Sequence, residues 1–169
     1  EAGSRVAVAP LVPCHTCEYC QRGWYSQCMS YSFIGSRRNG AFAEYITVPA
    51  ANLVPLPQSV SLRQGTLLEP ITVVLHPLMM LENQLGRLET AVVTGLGTIG
   101  LLAVQVLRFM DARNIVAADI IQDKIDTAIE LGATHGVNVA QEKLEDVTDD
   151  LGGANLVFEA SGTVPAKRS

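Results

Sequence analysis

The chain has 169 residues, 48% of them hydrophobic, enough apolar material for one sizeable core or two modest ones. A net charge of −5 with no long basic run argues against a nucleic-acid partner, whose phosphates need a basic face. No apolar run reaches the length of a membrane span, and the opening EAGSRVAVAP lacks the basic start and long apolar centre of a signal peptide, so the expectation is a soluble, cytoplasmic protein with no membrane partner.

Residues 5–58 are rich in β-branched and aromatic residues, in short runs such as RVAVAPLV and AFAEYITV punctuated by Pro and Gly. They predict strands of a small β domain, taken here as residues 1–65. Inside it, PCHTCEYCQRGWYSQC holds all four cysteines: Cys14, Cys17, Cys20 and Cys28. In a reducing compartment clustered thiols serve metals more often than disulfides. Short turns aim the first three sulfurs, and the longer excursion through Gly23 returns the fourth, a spacing that suits one tetrahedral zinc ion. The common iron–sulfur run places its fourth cysteine four positions after the third and follows it with proline, whereas here the gap is eight and Met29 follows. Disulfides and a cluster remain the alternatives. Four thiol ligands leave no open coordination position, so such a metal shapes the loop and performs no chemistry. His15 lies within the loop and is expected at the surface. Further on, Arg37 and Arg38 of GSRRNG are candidates for holding a phosphorylated substrate, because a guanidinium fork suits phosphate oxygens; the alternative is an exposed turn of two solvated arginines.

PLPQSVSLRQG reads as a connector, and an apolar stretch from Thr66 to Gln84 has helical spacing, with Met79 and Met80 expected as core filling. The second domain, residues 66–169, then alternates strand and helix. In TAVVTGLGTIGLLAVQVLRF a run of strand formers meets Gly95, Gly97 and Gly100 and continues as an apolar-faced helix. Strand NIVAADI follows and ends on Asp119, 19 positions after Gly100. In that context the glycines signify a dinucleotide site. Gly95 permits a tight turn, Gly97 lets backbone approach a pyrophosphate, and Gly100 allows close packing of helix and strand. Asp119 suits ribose hydroxyls and repels a 2′-phosphate, which favours NAD over NADP. A glycine turn binding no dinucleotide is the alternative.

The pattern continues with helix QDKIDTAIELGA, strand HGVNV, helix QEKLEDVTDDLGG and a buried strand NLVFEASG. Alternation with short loops implies right-handed crossovers and a parallel sheet, so the fold class is α/β: part of a Rossmann-like sheet preceded by part of a β-rich domain with a four-cysteine lobe. Four strands are visible where a complete doubly wound sheet has about six, with VPAKRS following the fourth, and the chain is expected to be a fragment.

The order of these parts resembles the zinc-dependent medium-chain alcohol and polyol dehydrogenases, over nearly the whole chain and about half of a usual member. CQRGWYSQCMSYSFIGSRRNGAFAEYITV and LLEPITVVLHPL are most similar to members acting on polyol phosphates of the galactitol 1-phosphate kind, then to sorbitol dehydrogenases. The resemblance implies a structural zinc at Cys14, Cys17, Cys20 and Cys28. It also implies an NAD site that includes Gly95, Gly97, Thr98, Ile99, Gly100, Asp119 and Lys124, although Lys124 reads equally well as an ordinary exposed helix lysine. Glu69 of LEP corresponds to a residue at the catalytic zinc, as a direct or water-mediated ligand; the alternative is an acid near a helix start. The family's other catalytic-zinc ligands, a cysteine and a GHE segment, precede the motif matched by Gly3, Ser4, Arg5 and Val6 and have no counterpart here. His76 is expected as a hydrogen-bonded core residue and His135 in a loop before a strand. The implied reaction in the intact protein is NAD-linked oxidation of a secondary alcohol of a small polyol or polyol phosphate, in a homo-oligomeric assembly of the family's kind. A sorbitol or threonine type of dehydrogenase, a zinc-free reductase of the same superfamily, and a non-catalytic zinc-stabilised module are the competing readings.

Overall fold

The structure, a computed structural model, describes residues 2–162, apart from the side chains of residues 82, 83 and 85. The closing VPAKRS stretch lies outside them. The chain divides into two compact units, one up to Glu69 and one from Pro70.

The first unit is built from short strands. β1 (Val6–Val8) pairs antiparallel with β4 (Leu53–Pro55), and β2 (Leu11–Val12) pairs antiparallel with β3 (Ser32–Phe33). The RVAVAPLV run is therefore split between two ladders at Pro10, which has no N–H to continue the first. The buried Asn52 side chain secures this break, its Nδ2 donating to the carbonyls of Ala9 (2.6 Å) and Leu11 (2.7 Å). Two expectations for this part are corrected. AFAEYITV forms bends and coil with Phe42 and Tyr45 fully exposed, because no strand among the described residues pairs with it, and alternation alone cannot hold an extended segment without a ladder. The end of the connector is helical: α2 (Leu62–Gly65), after a single helical turn α1 (Glu18–Gln21) in the cysteine loop, starts on a capping box in which Ser61 Oγ accepts from the Gln64 amide and Gln64 Oε1 from the Ser61 amide.

The helical stretch appears as α3 (Leu68–Leu85), which carries Pro77 internally. Met79 and Met80 are 68% and 69% exposed, and His76 is exposed too, so none of the three is a core residue. The buried stripe of α3 is formed instead by Val74 and Leu78, one helical turn apart, which leaves residues 76, 79 and 80 off that face.

β5 (Thr90–Thr94), β6 (Asn114–Asp119), β7 (His135–Asn138) and β8 (Leu156–Glu159) form one parallel sheet in the order β7-β6-β5-β8. The linking helices are α4 (Thr98–Phe109), α5 (Gln122–Glu130) and α6 (Leu144–Asp150). Strand alternation divides the core. Ala91, Val93, Ile115 and Ala117 face a cluster with residues of α3, α4 and α5, whereas Val92, Val116, Ala118 and Val137 face Leu144 and Val147 of α6. Helices on both faces make the sheet doubly wound, and its order reverses between β5 and β8, the kind of switch point at whose carboxyl ends open α/β sheets bind ligands. β8 differs from its expected burial: it has a single described neighbour, β5, and Val157 is 62% exposed. His135 is the first residue of β7, with Nδ1 2.8 Å from Thr134 Oγ1.

Candidate metal centre and dinucleotide crevice

The four thiols converge. The sulfurs of Cys14, Cys17, Cys20 and Cys28 all lie within 4.8 Å of one another, with Cys14–Cys20 at 3.9 Å and Cys17–Cys28 at 4.0 Å. Four ligands about 2.3 Å from a tetrahedral zinc stand about 3.8 Å apart, whereas disulfide sulfurs stand about 2 Å apart. The geometry thus fits zinc, and all four cysteines are free. Local backbone achieves this convergence. His15 adopts φ 59° and Gly23 φ 78°, left-handed values that turn the chain sharply after the first cysteine and after α1.

Hydrogen bonds already favour thiolate at part of the cluster. The Thr16 hydroxyl, followed by the Thr16 and Cys17 amides, lowers Cys14 to about 5, and the amides of Cys20 and then Met29 lower Cys17. Burial, followed by the neighbouring thiols, pushes Cys20 up to about 12. A divalent cation reverses that last effect by favouring thiolate at every ligand. His15 is exposed and meets the Tyr25 ring edge-on at 5.5 Å, outside the sulfur cluster.

The second site lies at the carboxyl ends of β5 and β6. Gly95 has φ 82°, and a Cβ there would fall 2.4 Å from the Cα of Ser161. At Gly100 a Cβ would fall 2.0 Å from the Gly95 carbonyl oxygen, so the glycine is required by the loop itself more than by helix–strand packing. Gly97 is different: nothing lies within 4 Å of its missing Cβ, and it caps α4 with no side-chain hydrogen bond. The amides that open α4, including those of Thr98 and Ile99, therefore lack a side-chain cap, an arrangement suited to an anion. Nearby, Thr94 Oγ1 is buried and has no hydrogen-bond partner among the described residues.

Asp119 ends β6 buried against this loop. Its Oδ2 accepts from the Leu96 amide (2.7 Å), and its Oδ1 accepts from the amides of Ile120 (2.8 Å) and Ile121 (3.1 Å). Lys124 Nζ stands 3.5 Å from Oδ2, so it is tied to the acid and is not a freely solvated lysine. Burial alone would raise the carboxyl pKa, but the Leu96 and Ile121 amides, Lys124 and the Ile120 amide outweigh it and hold Asp119 below its ordinary value. The carboxylate is charged and oriented before any ligand arrives.

Glu159 and its partner Ser161 escaped the sequence reading. Glu159 Oε1 accepts from the amides of Ser161 (2.8 Å) and Gly162 (3.1 Å) and from Ser161 Oγ, folding the turn against which Gly95 packs. The local signal was EASG, an acid two residues before a small polar residue and glycine at a strand end.

The remaining candidates lie elsewhere. Glu69 is exposed in the first turn of α3, and among the described residues it belongs to no group of three or more metal-ligating side chains. Arg37 and Arg38 lie in the turn after β3, within the first unit. No described helix is long and apolar enough to cross a membrane.

Residues 1–58 match the Alcohol dehydrogenase GroES-like domain family, and residues 98–169 match the Zinc-binding dehydrogenase family. Galactitol 1-phosphate 5-dehydrogenase of Escherichia coli K12 is 39% identical over 163 residues, covering 95% of this chain and 46% of the relative. L-threonine 3-dehydrogenase of Shewanella loihica is 37% identical over 169 residues, covering 98% of this chain and 48% of the relative. A crystal structure of galactitol-1-phosphate dehydrogenase from Escherichia coli matches with TM-score 0.86 at 38% identity, over 96% of this chain and 47% of that one. A zinc-binding dehydrogenase from Sinorhizobium meliloti, solved bound to NADP, matches with TM-score 0.89 at 29% identity, over 98% and 49%. The chain spans about half the length of the relatives it matches.

Proposed function

The chain belongs to the zinc-dependent medium-chain alcohol dehydrogenase family, and from that membership we propose that the protein takes part in NAD-linked oxidation of a secondary alcohol of a polyol or polyol phosphate. The observation that carries the reading is Asp119, a buried, pre-oriented carboxylate beside the glycine loop at the switch point of the sheet. In this reading the uncapped α4 amides receive the pyrophosphate, Gly97 leaves room for it, and Asp119 with Lys124 holds the adenosine ribose. When bound, the nicotinamide supplies the hydride acceptor. The four-cysteine centre holds zinc as a structural element and takes no part in the chemistry. Glu69 is the one candidate for the reacting centre on this chain, and no step is assigned to it, since no described set of ligands joins it.

Asp119 also decides between the two dinucleotides. A second carboxylate-facing anion, the 2′-phosphate of NADP, would stand against a charge that already takes three amide donors. Titration followed by NADH and NADPH fluorescence tests this directly. The expected result is NADH binding at least tenfold tighter, with Asp119→Ala narrowing the ratio; equal or tighter NADPH binding overturns the assignment. The similarity to L-threonine 3-dehydrogenases supports one other substrate, and NAD reduction by L-threonine without any by polyols would select it.

A further inference from the structure

Four cationic side chains of the described residues have carboxylate partners within 4.0 Å: Arg22 with Glu18, Arg87 and Arg113 with Glu89, and Lys124 with Asp119. Among the described residues Arg37 and Arg38 have none, as is also true of Arg5, Arg63, Arg108 and Lys143. Arg37 and Arg38 are nevertheless held in place. The Arg37 guanidinium lies 3.9 Å from the centre of the Tyr31 ring and donates through NH1 to the Tyr31 carbonyl at 3.2 Å. Arg38 donates through Nε to Ser32 Oγ at 3.0 Å, which leaves both its terminal nitrogens without a protein partner among the described residues.

The backbone beneath them is equally fixed. The Phe33 carbonyl accepts from the amides of Ser36, Arg37 and Arg38, and the Gly35 amide donates to the Arg38 carbonyl at 3.1 Å. Gly40 closes the turn so tightly that a Cβ there would lie 2.6 Å from the Cα of Gly35. Arg38 then lines an open hollow together with Asn39, Phe42, Tyr45 and Thr47. Such a lining offers amide and hydroxyl groups to a chain of alcohols and aromatic faces to its C–H edges, with a guanidinium at the rim.

We infer that this turn is a phosphomonoester clamp: Arg37 and Arg38 hold the terminal phosphate of an acyclic polyol phosphate whose hydroxyls lie along the hollow. The inference rests on the polyol reading above and narrows it to the phosphorylated class. Two arginines already immobilised by stacking and hydrogen bonds lose little further freedom on taking a bidentate phosphate, and a dianion supplies the charge they lack.

Calorimetric titration of the 169-residue chain with galactitol 1-phosphate, galactitol and inorganic phosphate tests it, with zinc content and amide spectra certifying the fold of each variant. The wild-type chain should bind the phosphate ester at least tenfold tighter than galactitol and tighter than inorganic phosphate. In the Arg37→Ala/Arg38→Ala variant the ester should bind no better than galactitol. Arg37→Lys/Arg38→Lys, which keeps the charge and loses the fork, should fall between the two. Equal affinity of the wild type for ester and polyol, equal affinity for ester and inorganic phosphate, or unchanged ester binding in the double alanine variant each overturns the clamp. None of these results alters NADH binding, so failure of the clamp is distinguishable from failure of the dehydrogenase reading, which the NADH titration reports.

Discussion

The cysteine lobe and the dinucleotide crevice are both loops with positive-φ glycines, yet different forces hold them. Among the described residues up to Glu69 the only buried apolar side chains are Cys20 and Cys28, at 5% and 4% exposure, and both belong to the sulfur cluster. The glycine loop instead sits on a sheet whose central strands are buried along nearly their whole length, with Val93, Leu107, Ile115 and Val116 fully enclosed. One loop depends on chelation and the other on packing. A unit with so little apolar burial gains less from the hydrophobic effect, so a metal carries a correspondingly larger share of its stability.

Metal removal is therefore the largest separation of the two. Structural zinc contributes on the order of 10 kcal/mol to the folding of small zinc domains. Treating the protein with a chelator strong enough to strip zinc should abolish amide protection across residues 14–28, while β5 to β8 keep theirs. Hydrogen exchange resolved by residue checks this. Equal loss of protection in both units would show that the sheet also depends on the metal, and iron in place of zinc on elemental analysis would refute the ligand assignment.

The same contrast governs what the sequence made legible. Chelation by closely spaced thiols is local information, and four cysteines within 15 residues point to their shared ion before any fold is known. The parallel sheet is almost as plain, because TAVVT and NIVAAD are strand formers throughout and a strand buried on both faces needs no alternation. What failed depends on distant partners. AFAEYITV has strand composition but no described ladder, NLVFEASG lies at an edge of the described sheet, and Met79 and Met80 fall just off the buried stripe of α3. The role of Glu159 was hidden for the same reason, since its value lies in a turn that meets Gly95 across 66 residues of chain.

A smaller effect separates two glycines within the packed region. At Gly100 an added methyl would strike a backbone oxygen that cannot yield, so Gly100→Ala should destabilise the second unit by about 1–3 kcal/mol and also disturb the loop. At Gly97 the same methyl meets open space, so Gly97→Ala should leave the melting temperature nearly unchanged while weakening NADH binding, because the methyl stands where a pyrophosphate would approach. Thermal melts paired with NADH titration distinguish the two. If Gly97→Ala binds NADH like the wild type, the pyrophosphate does not lie over that residue.

The smallest expected effect comes from acid, and it concerns Asp119, the one charged side chain buried among the described residues. Asp119 is held below its ordinary carboxyl value, so its charged form is favoured in the folded state more than in the unfolded chain. The resulting stability is fully present above the unfolded value of about 3.9 and is lost as pH falls from there through the lower folded value. Asp119→Asn removes this dependence and replaces a carboxylate that accepts three amides with a group having one acceptor oxygen, so at neutral pH it should cost about 1–2 kcal/mol. The gap between the two proteins should begin to close as pH falls below about 4, where the unfolded chain's carboxyl takes up its proton, and should vanish only below the lower folded value. Urea unfolding followed by the circular dichroism of the second unit, run at pH 7, 5 and 3 on both, measures the gap at each pH. A gap that stays constant across the series would mean that Asp119 contributes by shape and neutral hydrogen bonding, and that packing holds this region without help from the charge.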